Sequence, residues 1–253
     1  MTTTKYAVLL MSFASAIAAV GVAAAGHAAE AKKEEKVLRH AVFFKFKDDA
    51  SPEAVAKVVT SFDALPKKID SIKDYQAGTN ISTAGFDDGF THCFLLTFAD
   101  DAGRAKYLPH PDHKAFGDGL RPILDKVFVV DYWGQPETAR KDRELKHGLF
   151  LKFKDGVDPE DVKDVEDSLA KLPSQVDSVK SFEWGKNNSP EKHDEEFTHC
   201  FMFTFDDPTG LKKYADSAAH RAVVGKIMAT AEKGRVLDFW TKEKDEKAEA
   251  ASK

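Results

Sequence analysis

Lys106-Tyr107-Leu108-Pro109-His110-Pro111-Asp112-His113 places one tyrosine and two histidines within seven residues. A partial copy follows downstream, where Lys213-Tyr214 precedes Ala219-His220. Tyr107 and Tyr214 stand 107 positions apart, and so do His113 and His220. The same offset relates His40 to His147, Pro52 to Pro159, Leu65-Pro66 to Leu172-Pro173, His92-Cys93-Phe94 to His199-Cys200-Phe201, and Trp133 to Trp240. One offset held over so long a stretch means two copies of one unit without net insertion. A period of this length indicates a duplicated domain rather than a solenoid of short repeats.

Within the first copy, Val37 to Lys47 alternates as a strand does. His40, Val42, Phe44 and Phe46 share one face, and Ala41, Phe43, Lys45 and Lys47 the other. Ser51-Pro52-Glu53 reads as a helix start, with a capping hydroxyl and a proline at the first helical position. Val55, Val58, Val59, Phe62 and Leu65 then form one apolar stripe, and Pro66 predicts its end. A second strand is expected over 72–78, a glycine- and aspartate-containing loop over 80–89, and a third strand over 90–98. A helical region interrupted by Pro109 and Pro111 should run from about 101 to 125, and a last strand over 127–133. The second copy predicts strands at 145–154, 179–185, 197–205 and 236–240, with helices at 158–172 and 208–233. The order βαββαβ, met twice, is the ferredoxin-like plan.

Both strand faces carry large apolar side chains; Phe43 and Phe150 lie opposite the face that holds the histidines. A unit's own helices cover one face, so the other needs a partner sheet. The expected fold is therefore α+β: two tandem ferredoxin-like units, 37–134 and 145–241, paired within one chain as a pseudo-dimeric α/β barrel. A charged linker at 135–144 would be long enough to carry the chain across.

The ends read differently. Lys5, an alanine-rich apolar run from Tyr6 to Ala25, and the small residues around Ala29-Glu30-Ala31 follow the order of a bacterial-type signal peptide over 1–29. The expectation is a periplasmic or secreted protein, the alternative an N-terminal membrane anchor. Residues 242–253, charged and alanine-rich, read as a solvated tail. Lys and Arg number 37 against 42 Asp and Glu, a net charge of −5, and no basic stripe is present, which argues against a nucleic-acid partner. Cys93 and Cys200 occupy equivalent strand positions and are expected as buried thiols. No phosphate loop, serine nucleophile motif or flavin or nicotinamide fingerprint is present, so no cofactor is expected. His110 and His113 lack an evident third ligand, so no metal is expected either.

Leu38-Arg39-His40-Ala41-Val42-Phe43-Phe44-Lys45-Phe46-Lys47, Phe90-Thr91-His92 and the Tyr107–His113 segment together resemble the stress-responsive A/B barrel (Dabb) family. Lys146 to Lys154 and Phe197-Thr198-His199 resemble it again, so the likeness spans about 37–241. The resemblance implies a ferredoxin-like unit that pairs into a barrel, in a family that holds stress proteins and a polyketide-closing cyclase. From that cyclase it implies catalytic roles for Tyr107 and His113, with Tyr214 and His220 as counterparts. It implies cavity roles for His40 and His92, and for His147 and His199. An aromatic hydroxyl of the cyclase is replaced by Phe62 here and by Leu169 in the second copy. The second copy also has Ser217 at the position of His110, and neither proline of that segment.

Read from the residues alone, His40 and His92 share faces with Phe and Val, where an imidazole needs a partner. Tyr107 and His113 can supply one. They can also remove a proton beside a carbonyl and donate to the resulting oxyanion. The expected function is an exported stress-response protein that holds a small apolar or aromatic molecule among His40, His92, His110, His147, His199 and Phe62. The alternatives are an aldol-type cyclase or lyase and a cofactor-free monooxygenase.

Overall fold

The computed structural model describes residues 35–136 and 143–241. The expected leader at 1–29, the middle of the 135–144 linker and the tail at 242–253 lie outside the described residues. The first unit comprises β1 (Val37–Phe46), α1 (Pro52–Asp63), β2 (Ile72–Thr79), β3 (His92–Phe98), α2 (Asp101–Tyr107), α3 (Pro111–Leu120) and β4 (Leu124–Gly134). The second comprises β5 (Leu145–Phe153), α4 (Pro159–Gln175), β6 (Ser181–Lys186), β7 (His199–Phe205), α5 (Pro208–Ala215), α6 (Ala218–Thr230) and β8 (Ala231–Trp240). Each unit forms one antiparallel sheet, ordered β2-β3-β1-β4 and β6-β7-β5-β8.

Local chemistry sets most boundaries. The Ser51 hydroxyl accepts from the Ala54 amide and starts α1; Asp158 does the same for α4 through Glu160. The helical region expected near 101–125 is two helices. Pro109 has no amide to continue α2, and the extended His110 restarts the chain as the cap of α3. In the second unit Ser217 caps α6 and so separates it from α5. The helix expected to reach residue 233 stops at Thr230, because Ala231, Lys233 and Gly234 pair with Phe153, Lys152 and Leu151 and belong to β8. Pro66 sits in a 3-10 turn after α1, whereas Pro173 lies inside the last turn of α4, where one missing donor is tolerated.

Three apolar layers result. Val58 and Phe62 of α1, and Leu65 of the 3-10 turn that follows it, pack on the outer face of the first sheet with Phe44, Phe94 and Phe116. Val165, Leu169 and Leu172 of α4 do the same for the second, against Phe201 and Phe203. Between the sheets lies a shared layer: Phe43, Phe90 and Phe128 of the first unit meet Phe150, Phe197 and Phe239 of the second. Phe150 stands edge-on to Phe43 and Phe128, with ring centres 5.2 and 5.1 Å away. Each such ring contributes on the order of 2 kcal/mol by burial. Cys93 and Cys200 are separate buried thiols within this layer.

The units also exchange loops. In one direction Ile81 donates its amide to the Asp238 carbonyl at 2.7 Å and Phe86 accepts from the Val236 amide at 3.0 Å. In the other, Asn188 donates to the Asp131 carbonyl at 2.9 Å and His193 accepts from the Val129 amide at 3.0 Å. The loop before the third strand of each unit therefore lies along the last strand of the other. Asn80 and Asn187 anchor these crossings: the Asn80 side-chain oxygen accepts from the Asp238 amide at 3.0 Å, that of Asn187 from the Asp131 amide at 3.1 Å.

Candidate functional site

Tyr107 ends α2 and is fully buried against the rings of Phe98 and His40, 5.3 and 5.6 Å away between centres. Its hydroxyl has no hydrogen-bond partner among the described residues. Burial, aided by the charges of Glu191 and Asp131, pushes its pKa well above the usual value, so the group remains a phenol. His113, in the first turn of α3, has its ring centre 4.2 Å from that of Tyr107. Its Nδ1 is 3.0 Å from the Leu108 carbonyl oxygen. A carbonyl can only accept, so Nδ1 carries the proton, and in the neutral ring Nε2 is the basic nitrogen. Burial lowers the His113 pKa, against the opposing effect of that hydrogen bond, and favours the neutral ring.

His40 sits on β1 directly across from Asp131 on β4. Its Nδ1 is 2.6 Å from Asp131 Oδ1, and Arg104 Nη1 lies 2.6 Å from Oδ2 of the same carboxylate. Burial alone would lower the His40 pKa, but the charge and hydrogen bond of Asp131 raise it above the ordinary value. Burial likewise works against the Asp131 carboxylate, and the His40 and Arg104 contacts hold its pKa below the usual carboxylate range. On its other side His40 Nε2 is 3.7 Å from Glu191 Oε2, a group delivered by the crossing loop of the second unit. His40, Tyr107, His113 and Glu191 border a cavity of about 630 Å³ with walls of Val42, Phe44, Phe62, Phe116 and Val129, and His193 also lines it.

The second unit repeats the core of this arrangement. His147 Nδ1 is 2.6 Å from Asp238 Oδ1, the Tyr214 and His220 rings are 4.5 Å apart, and His220 Nδ1 is 3.1 Å from the Ala215 carbonyl. Burial lowers the His220 pKa, opposed by that carbonyl, and raises that of Tyr214. The cavity beside them measures about 590 Å³.

The structure thus brings His40, Phe62, Tyr107 and His113 to one cavity and His147, Tyr214 and His220 to the other. Three predicted residues stand elsewhere. His110 caps α3 by accepting from the Asp112 amide. His92 contacts the Thr91 hydroxyl and packs edge-on to Phe46, away from the cavity lining. His199 places Nε2 3.0 Å from Glu166 and its ring against Phe153. Burial lowers its pKa, with Glu166 opposing. Asp131, Asp238, Arg104, Glu191 and His193 were not anticipated. The two aspartates do carry a signal: each is the single charge in the apolar runs 127–133 and 236–240, and they share the repeat offset. Among the described residues no group of three or more His, Cys, Asp or Glu is placed to hold a metal ion. What the first cavity offers is a neutral imidazole base and an unengaged phenol in apolar surroundings.

The model of one protein family, the stress responsive A/B barrel domain, matches the chain twice, over residues 38–134 and 145–241. The stress-response A/B barrel domain-containing protein HS1 of Arabidopsis thaliana is 33% identical over 95 residues, which are 38% of this chain and 87% of that protein. Olivetolic acid cyclase of Cannabis sativa is 27% identical over 95 residues, covering 38% of this chain and 94% of the cyclase. The crystal structure of an anthrone oxidase-like protein shares the fold: its TM-score is 0.54 at 13% identity, over 83% of this chain and 92% of that one.

Proposed function

The chain belongs to the stress responsive A/B barrel domain family, and on that premise we propose that it is an exported stress-response protein whose first-unit cavity holds a small apolar or aromatic molecule bearing a carbonyl or phenolic oxygen. The observation that carries this reading is the Tyr107 hydroxyl, buried beside the cavity with no partner among the described residues. Leaving such a group unmet costs about 1–3 kcal/mol. A ligand oxygen at that point recovers the loss, and the phenylalanine and valine walls accept the rest of the molecule. Export rests on the order of residues from Lys5 to Ala31.

Native mass spectrometry of protein taken from the exported fraction tests the export, the bound molecule and the role of Tyr107. The expected spectrum shows a chain starting near Glu30 with an apolar adduct, and Tyr107→Phe weakens retention of that adduct roughly tenfold, the equivalent of about 1.4 kcal/mol. Equal retention by wild type and variant would remove the assignment of Tyr107.

A second reading, acid–base catalysis, is favoured by the geometry of His113. With Nδ1 committed to Leu108, Nε2 is free to take a proton from a carbon beside a carbonyl. The electron pair then moves to the carbonyl oxygen, where Tyr107 donates. The resulting enolate attacks a second carbonyl of the same molecule, a carbon–carbon bond forms, and the proton returns from His113 to the new alkoxide. This is aldol-type closure, and the likeness to a cyclase supports it. His113→Ala should lower turnover by about 10²–10⁴-fold while leaving the ligand bound. Oxygen consumption with substrate would instead favour a cofactor-free monooxygenase.

A further inference from the structure

The two cavities are built on one plan, but their surroundings differ in a directed way. Arg104, which holds Asp131 in the first unit, has Leu211 as its counterpart in the second. Glu191 and His193, brought to the first cavity by the crossing loop, have Ala84 and Phe86 as counterparts at the second. Arg121, on the rim after α3, corresponds to Met228 of α6. Four charged or imidazole side chains from three separate segments are thus replaced by apolar ones, and all four replacements face one cavity.

From this we infer that the second-unit cavity is a separate binding site for a neutral, apolar molecule, a ligand class distinct from the oxygen-bearing one assigned to the first. Its size, about 590 Å³, is that of a small-molecule site. The mouth supplies an independent observation. Of the four large hydrophobic side chains exposed among the described residues, three line this cavity: Phe86 at 54% exposure, Val224 at 38% and Met228 at 69%. Apolar side chains gathered at one opening, on a chain that is 31% charged residues, mark a binding surface rather than incidental exposure. Methionine at the rim suits the role, since its unbranched side chain adapts to ligands of different outline. Inside the cavity the Asp238 carboxylate is already engaged by His147, and the other charged side chains of the lining, the exposed Glu232 and the half-buried Lys233, stand on β8. The inference does not depend on Tyr107 or His113.

The test is a fluorescence titration of the full chain with N-phenyl-1-naphthylamine, a neutral apolar fluorophore. One site per chain is expected. The double variant Val224→Glu, Met228→Glu should weaken binding at least tenfold, with an unchanged circular dichroism spectrum because both positions are exposed. Gly117→Phe provides the control. An added Cβ at Gly117 meets nothing within 4 Å, so the new ring projects into the first cavity, and probe affinity should stay within twofold of wild type. Absence of saturable binding, loss of binding in Gly117→Phe, or an intact affinity in the double glutamate variant would each overturn the proposal. So would a sedimentation result in which the chain is a dimer that Met228→Glu dissociates, since the apolar rim would then be covered by a second copy.

Discussion

At the scale of single residues, Asp131 organises the first cavity. It is fully buried, and it carries both the His40 imidazole and the Arg104 guanidinium at 2.6 Å. Removing its charge leaves as counter-ions only the exposed Asp101 for the Arg104 guanidinium and only Glu191, 3.7 Å away, for the His40 imidazole, so Asp131→Asn should cost about 3–5 kcal/mol in urea denaturation at neutral pH. Asp238→Asn leaves only His147 short of a partner, because Leu211 replaces the arginine. Its expected cost is about 1–3 kcal/mol, and equal losses at the two positions would contradict the account. The sign of the pH effect follows from His40. Its folded pKa lies above the unfolded value of about 6.5. Its contribution to stability is therefore complete below that value and fades as pH rises through the folded one. The stability gap between wild type and His40→Asn should be wider at pH 6 than at pH 9. His113 runs the other way: with its pKa lowered, any process needing the neutral ring should hold steady above about pH 6.5 and decline only in more acid solution. His40, Tyr107 and His113, with His147, Tyr214 and His220, were legible from sequence because the repeat offset singles them out. Asp131 was legible in principle, as a charge between Val130 and Tyr132. Glu191 was not, since the residue it meets, His40, lies 151 positions away in the other unit, and nothing local records that approach.

At the scale of elements, the units close on each other where side chains are absent. An added Cβ at Gly78 of β2 would run into the Trp240 carbonyl oxygen of β8. At Gly185 of β6, the counterpart in the second unit, it would meet Tyr132 Cβ at 3.0 Å and the Trp133 carbonyl oxygen at 3.3 Å across β4. Backbone on one side and backbone on the other leave nothing soft to yield. Gly78→Ala should therefore lower stability by about 2–3 kcal/mol in urea denaturation, and Gly185→Ala by less, because its contacts are closer to ordinary packing distance. A loss at Gly185 equal to that at Gly78 would mean that the edges approach more symmetrically than these distances imply. The strands and first helices were readable from alternation and from Ser51-Pro52 and Asp158-Pro159, because those signals are local. The break between α5 and α6 was harder: Ser217 is a good cap, but a run such as Lys213-Tyr214-Ala215-Asp216 gives a helix no reason to stop. The entry into β8 at Ala231 is set by pairing with Phe153, a long-range event that overrides the helical preference of Ala229 to Glu232.

At the scale of the whole molecule, the sequence foretold a sheet-to-sheet pairing because both strand faces were apolar, and the layer formed by Phe43, Phe128 and Phe150 is its realisation. It did not foretell how that layer departs from twofold symmetry. Phe128 of β4 and Arg235 of β8 are counterparts under the repeat offset, and they meet each other. The Arg235 guanidinium stands 4.4 Å from the centre of the Phe128 ring, with Phe90 and Phe197 at 4.6 and 4.8 Å. It is bonded to Asp88 of one crossing loop and to Glu195 of the other. A pairing of two second units would set two such arginines in one layer, whereas the pairing of first with second sets a cation among rings. The asymmetry therefore favours the pairing of a first with a second unit over the pairing of two second units. It also ties the two crossing loops, and hence both cavities, to one side chain that is 2% exposed. Arg235→Ala should cost about 2–4 kcal/mol, combining the lost cation–ring attraction with the lost packing of the stem. Because the layer is shared, unfolding followed by circular dichroism and by tryptophan fluorescence should remain one coincident transition in wild type. In Arg235→Ala both cavities should weaken together, read as reduced affinity for the naphthylamine probe and reduced retention of the first-unit ligand. Weakening of one cavity alone would show that the loops are held independently, and would confine Arg235 to the packing of the layer.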